Sequence, residues 1–163
     1  MSKVNIGKIV NTHGVKGEIR IISDFDMKDK AFKPGNKVII NDCEFTINSY
    51  RVHKNYDMIT FKEFSNINEV LPFKGKNIYI NRDELELSQS DYILDDLIDM
   101  NVFIDEDLIG VVKDYSNDKN PLIKVQGNKI FYIPIKADYI KKVDIDNNAL
   151  YVKEETRGLI LWK

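Results

Sequence analysis

Residues 5–24 read NIGKIVNTHGVKGEIRIISD, and this stretch decides the fold. Two β-prone runs, 4–10 and 18–22, flank a connector that holds Gly14 and Gly17. Glycine tolerates positive φ, so the connector can bend sharply and return the chain antiparallel to itself. What the connector presents is polar and mostly basic: Asn11, Thr12, His13 and Lys16, with Lys8 and Arg20 on the flanking runs. A basic loop tip held on a β-scaffold suits contact with phosphate. The same residues also fit an ordinary hairpin with a solvated turn, and on its own the stretch names no function.

Outward from it, 24–33 reads as a charged irregular loop closed by a Pro34-Gly35 turn. Residues 37–40 form a short strand that Asn41-Asp42 turns back. Cys43, Phe45 and Ile47 then alternate with Glu44, Thr46 and Asn48, the period of a half-buried strand. Residues 51–54 and 58–62 read as a further hairpin around Asn55-Tyr56-Asp57. Asn66 can cap a helix with Glu69 three residues on, while Pro72 and Gly75 limit it to a turn or two. Ile78-Tyr79-Ile80 closes the set, and six short strands at this spacing predict a small antiparallel barrel.

The polar run 82–90, RDELELSQS, lacks periodicity and reads as the linker region. A second β-domain follows: 101–104 pairs with 108–115 across Asp105-Glu106-Asp107, and 122–125 pairs with 129–133 across Gln126-Gly127-Asn128. Residues 138–142 read as one helical turn, and 143–145 pairs with 149–152. The organisation expected is all-β, with a first barrel over 1–85, a linker over 86–90 and a second barrel over 91–163.

Composition bounds the class. The chain has 163 residues, 43% hydrophobic and 31% charged, with no apolar run of membrane-spanning length and no signal-peptide core. A cytoplasmic protein is expected, working as a monomer. The single Cys43 excludes an internal disulfide and a cysteine-built zinc site. Residues 1–85 hold 14 Lys and Arg against 11 Asp and Glu, whereas 86–163 hold 10 against 15. That split, +3 and −5, suggests an N-terminal half facing nucleic acid and a C-terminal half facing a basic protein.

Catalytic patterns are sparse. His13 and His53 stand far apart in sequence, with no His-x-x-x-His or Cys-x-x-Cys spacing, and Lys16-Gly17 lacks the P-loop's glycine spacer and Ser/Thr. Cys43, in a strand, reads as core. Asp95, Asp96 and Asp99 could serve as acid/base carboxylates or ligands for a hard cation, the basis for an alternative reading as a small metal- or carboxylate-dependent hydrolase; capping and solvation where a β-domain starts is the favoured reading. Tyr115, Tyr132, Tyr139 and Tyr151 could stack bases or sit in the core and barrel surface. Residues 131–135, FYIPI, are apolar on both strand faces, so either both sides are buried or one is a docking patch.

The order GKIVNTHGVKGEIR over 7–20 resembles the N-terminal signature of the ribosome maturation factor RimM family. Phe32-Lys33-Pro34-Gly35, Asn66-x-x-Glu69 through Gly75, Tyr79-Ile80 and Arg82-Asp83-Glu84-Leu85 continue the resemblance. Asp96-Leu97-Ile98, Gly110-Val111-Val112 and Ile133-Pro134 resemble the signposts of its C-terminal PRC-barrel. The resemblance implies an elongation-factor-like barrel joined to a PRC-barrel, with no catalytic activity and no cofactor. The implied role is late assembly of the small ribosomal subunit's head and processing of small-subunit rRNA. The implied partners are that rRNA and a head ribosomal protein. RNA or ribosome contact then falls to Lys8, His13, Lys16 and Arg20. Protein contact falls to Tyr92 and Ile93, which match the family's Tyr-Tyr pair, with Tyr132 and Pro134 beside them. The chain departs from the family pattern at Ile93, at Asp99, which takes the place of a glycine, and in the short hairpin around Asp105-Glu106-Asp107.

Overall fold

The computed structural model describes residues 3–88, 90–117 and 119–161. The chain divides into two compact units, one up to Leu87 and one from Ser88 onward.

In the first unit the strands are β1 (Lys3–His13), β2 (Glu18–Ile22), β3 (Lys37–Ile40), β4 (Cys43–His53), β5 (Tyr56–Phe61) and β6 (Asn77–Asn81). They close into an antiparallel barrel in the order β1-β2-β5-β4-β3-β6. Alternation does the sorting: Val4, Ile6 and Ile9 of β1, Ile19 and Ile21 of β2, and Ile78 and Ile80 of β6 are buried. Gly17 ends the first hairpin at φ +91, and a Cβ there would stand 2.9 Å from the Asn66 carbonyl oxygen. Only glycine meets both conditions without strain. Asn66 starts the short helix α2 (Ile67–Val70), with the expected capping box to Glu69, and Leu71–Phe73 follows as one 3-10 turn.

Three local expectations change. Residues 43–53 form one long strand rather than two, because β4 bends through a register shift between Ile47 and Ser49 instead of stopping. Cys43 is exposed, since it lies at the rim beside the Asn41-Asp42 turn, whose two residues take φ +52 and +64. The charged loop 24–33 contains the helical turn α1 (Lys28–Ala31), with Ala31 and Phe32 wholly buried. A buried polar group fastens α1: Asp57 accepts from the Tyr50 hydroxyl at 2.6 Å and pairs with Lys28 Nζ at 3.0 Å. Phe32 stacks on the Tyr50 ring at 5.5 Å. Burial, then the Asp57 carboxylate, push the Tyr50 phenol well above its ordinary range.

The second unit holds β7 (Asn101–Ile104), β8 (Asp107–Ser116), β9 (Leu122–Gln126), β10 (Ile130–Pro134), β11 (Ile140–Asp144), β12 (Ala149–Val152) and α3 (Arg157–Leu161). Its sheet runs β10-β9-β8-β7-β12-β11. Residues from every strand, including the two outer ones, meet in a single apolar cluster, so the sheet curls around one core as a barrel does. The sequence pattern does not announce the parallel pairing of β12 with β7, in which Leu150 faces Val102. The helical turn expected over 138–142 is instead a turn closed by Ile140 N–H to the Lys136 carbonyl, after which β11 begins. Arg82–Leu85 is a 3-10 turn with Leu85 buried, which narrows the irregular connector to the residues after it.

Candidate nucleic-acid interface

The strand order places two hairpin ends side by side. β1 ends and β2 begins at the first, β4 ends and β5 begins at the second, and β2 pairs with β5. His13 is opposite Glu18 in one ladder and His53 opposite Tyr56 in the other. The result is a cluster of His13, Glu18, Arg20, Arg51, His53 and Tyr56, with Lys54 in the second turn and Lys16 in the first.

Its geometry is specific. Arg20 Nη2 lies 3.0 Å from His13 Nδ1. A guanidinium only donates, so Nδ1 accepts and the imidazole carries its proton on Nε2. The Arg20 guanidinium also sits over the Tyr56 ring at 5.1 Å, a cation–π contact. Arg51 grips Glu18 with two bonds, Nε to Oε2 at 2.8 Å and Nη2 to Oε1 at 2.7 Å. That pairing holds the Glu18 carboxyl below its ordinary range. The His13 and His53 ring centroids are 5.9 Å apart. Partial loss of water around its ring, then the cations Arg51 and Lys54, keep His53 below the ordinary imidazole range.

Of the four residues the sequence nominates, the structure joins His13 and Arg20 directly and sets Lys16 in the adjoining turn, exposed. Lys8 is exposed on β1, opposite Ile22 and Asn77, and five residues from His13 along the strand, about 16 Å away at strand rise. Arg51, His53, Lys54 and Tyr56 escape the sequence reading. Their only signal there is a basic stretch beside a turn, and the strand order that brings β4–β5 next to β1–β2 is not local information.

In the second unit, β10 answers the question left by its two-sided apolar sequence. Phe131 and Ile133 point into the core, while Ile130 and Tyr132 are 42% and 44% exposed on the other face. Pro134, half-buried, follows on that same face. Tyr115, Leu122, Lys124 and Tyr132 line a groove beside it. Tyr92 is half-buried and packs against the core of the unit. Ile93 corrects the expectation of a partner-facing side chain: it is 2% exposed and can act only by supporting its segment.

With these sites described, comparison with known proteins adds the family. Residues 4–85 match the family model of the RimM N-terminal domain. The ribosome maturation factor RimM of Staphylococcus aureus strain RF122 is 38% identical over 158 residues, spanning 92% of this chain and 95% of its own. The protein of the same name from strain JH9 is 37% identical over the same shares. The chain belongs to the RimM family. A crystal structure of RimM from Pseudomonas aeruginosa aligns with a TM-score of 0.47 at 21% identity, covering 93% of this chain and 97% of that one.

The carboxylates that suggested hydrolysis are occupied with structure in this RimM chain. Asp95 accepts from the Tyr115 hydroxyl at 2.6 Å, and Asp96 accepts from the Ile93 N–H at 2.9 Å, capping a 3-10 turn. Asp99 stands at φ +67, the left-handed conformation that favours glycine. Among the described residues no three His, Cys, Asp or Glu side chains gather to hold a metal ion, and no helix is long and apolar enough to cross a membrane.

Proposed function

We propose that this chain is a ribosome maturation factor acting on the assembling small subunit, with its first barrel on rRNA and its second unit on a basic ribosomal protein of the head. The observation that carries the reading is the paired hairpin ends, which set Lys16, Arg20, Arg51 and Lys54 against the single carboxylate of Glu18 in a family whose curated relatives are named for ribosome maturation. Phosphate contact by Lys and Arg supplies affinity without reading sequence, as a factor bound to folded rRNA requires. The exposed face of β10, with Ile130 and Tyr132, offers an apolar centre. The acidic excess of the C-terminal half would steer a basic partner toward that unit. The factor would bind one conformation of the immature head more tightly than the mature one and so shift the population between them. It would work in the cytoplasm, where subunits assemble, as a monomer.

The test is co-sedimentation with immature and mature small subunits. Wild type should travel with the immature particles only. Lys16→Ala with Lys54→Ala should weaken that binding and lower the slope of log affinity against log salt by roughly 1.4, since about 0.7 is lost per phosphate contact on single strands. Equal binding to both particles, or an unchanged salt slope in the double variant, would overturn the reading.

A further inference from the structure

We propose that His13, His53 and Arg51 together form a seat for one RNA phosphodiester, and that its occupation is coupled to uptake of a proton by His53. The inference rests on the reading of the first barrel as the RNA-facing unit and says how that unit would hold its ligand.

Three donor side chains lie close together there. The His13 tautomer set by Arg20 leaves Nε2–H as the ring's donor. Glu18 takes Nε and Nη2 of Arg51, so Nη1 stays available for another acceptor. The two imidazole centroids are 5.9 Å apart, and two donors at that separation can each reach a different oxygen of one phosphate at about 2.8 Å. Arg20, stacked on Tyr56 and tied to His13, positions the seat from below.

Charge then couples the seat to pH. His53 faces Arg51 and Lys54 from its own hairpin, Arg20 and Glu18 from β2, His13 from β1 and Tyr56 from β5. Asp57, the next carboxylate along β5, is turned inward to Lys28 and Tyr50. Without ligand, partial loss of water and the surrounding cations disfavour the charged form of His53. A phosphodiester brings one negative charge to the same place, which favours the imidazolium. A proton from solvent goes to the ring, and the cation it creates pairs with the phosphate oxygen.

The experiment measures affinity for a fluorescein-labelled single-stranded oligouridylate of about twelve nucleotides by anisotropy at constant ionic strength, between about pH 8 and about pH 5.5. One unit of pKa change on binding makes the wild-type affinity rise about tenfold over that range. His53→Gln should reduce the rise to less than about twofold, and calorimetry in buffers of different ionisation heat should show uptake by wild type that peaks at about half a proton within that pH range. A full pH response in His53→Gln, or no proton uptake, overturns the seat. Thermal melting of the variant separates loss of the seat from loss of the fold: a pH response lost together with a lowered melting temperature also counts against the proposal. Binding that is firm but flat with pH refutes this inference alone, whereas absence of RNA binding at every pH refutes the RNA reading beneath it.

Discussion

Replacing Asp99 by glycine should stabilise the second unit. Asp99 holds φ +67 at the turn before β7, and its backbone is fixed on both sides. Its N–H donates to the Val112 carbonyl at 2.8 Å, and its carbonyl accepts from Asn148 Nδ2 at 3.0 Å. Both bonds are backbone bonds on the Asp99 side, so glycine keeps them. The left-handed conformation costs an L-residue about 1–2 kcal/mol, with Asp at the lower end of that range. Glycine removes that cost but adds roughly 0.4–1 kcal/mol of freedom to the unfolded chain. The difference leaves a gain of up to about 0.6 kcal/mol, or a rise of up to roughly 2–5 °C in melting temperature for a unit of this size. Differential scanning calorimetry of Asp99→Gly, wild type and Asp99→Ala should give that descending order, because alanine keeps the Cβ and loses the polar group that eases αL. A melting temperature for Asp99→Gly below wild type, or an Asp99→Ala as stable as Asp99→Gly, would refute the argument from backbone strain.

Two further outcomes concern the first barrel. Asp57→Ala should cost about 2–3 kcal/mol by urea denaturation, chiefly because the part-buried Tyr50 hydroxyl loses the acceptor that Asp57 supplies, whereas Lys28, 35% exposed, can turn to water; a loss below about 0.5 kcal/mol would show that α1 is held by Phe32 alone. Arg51 lowers the Glu18 carboxyl in the folded state, so this pair stabilises above the ordinary carboxylate value of 4.5 and its contribution disappears as pH falls through the folded value. The urea midpoints of wild type and Glu18→Gln should therefore differ at neutral pH and converge in acid; a gap that persists or widens in acid contradicts that sign.

How much of this was legible in the sequence depends on the range of the interaction concerned. The β1–β2 hairpin, the α2 capping box and the Asn41-Asp42 turn depend on residues within a few positions of one another, and the sequence pattern shows each of them. Where two candidate structures share the same local pattern, the tertiary contacts decide. Residues 28–31 look like loop because their charges mask Ala31, and the helical turn exists because Asp57, far along the chain, captures Lys28. Ile93 looks like a docking residue because the family match places it beside Tyr92, yet it is the more buried of the two. On β10, alternation keeps Tyr132 outside while Phe131 and Ile133 go in.

The candidate interface shows why net charge alone understates it. The excess over residues 1–85 is only +3, a difference that scatter could produce. The paired hairpin ends carry Lys16, Arg20, Arg51 and Lys54 against Glu18, so one end of the barrel contains an excess equal to that of the whole half. Four of the other ten carboxylates of residues 1–85 are committed elsewhere: Asp57 to Lys28 inside the barrel, Glu63 to the Thr46 N–H, Glu69 to the cap of α2 and Glu84 to the Lys37 N–H. Each of those positions is set by a hydrogen bond that would be lost if the carboxylate moved toward the cations. With a screening length of about 8 Å at physiological salt, a phosphate approaching the hairpin ends senses that local set of charges far more than the average over the chain. The folding chemistry of the first barrel therefore also separates its charges, and the interface follows from where the acidic residues are held as much as from where the basic ones are.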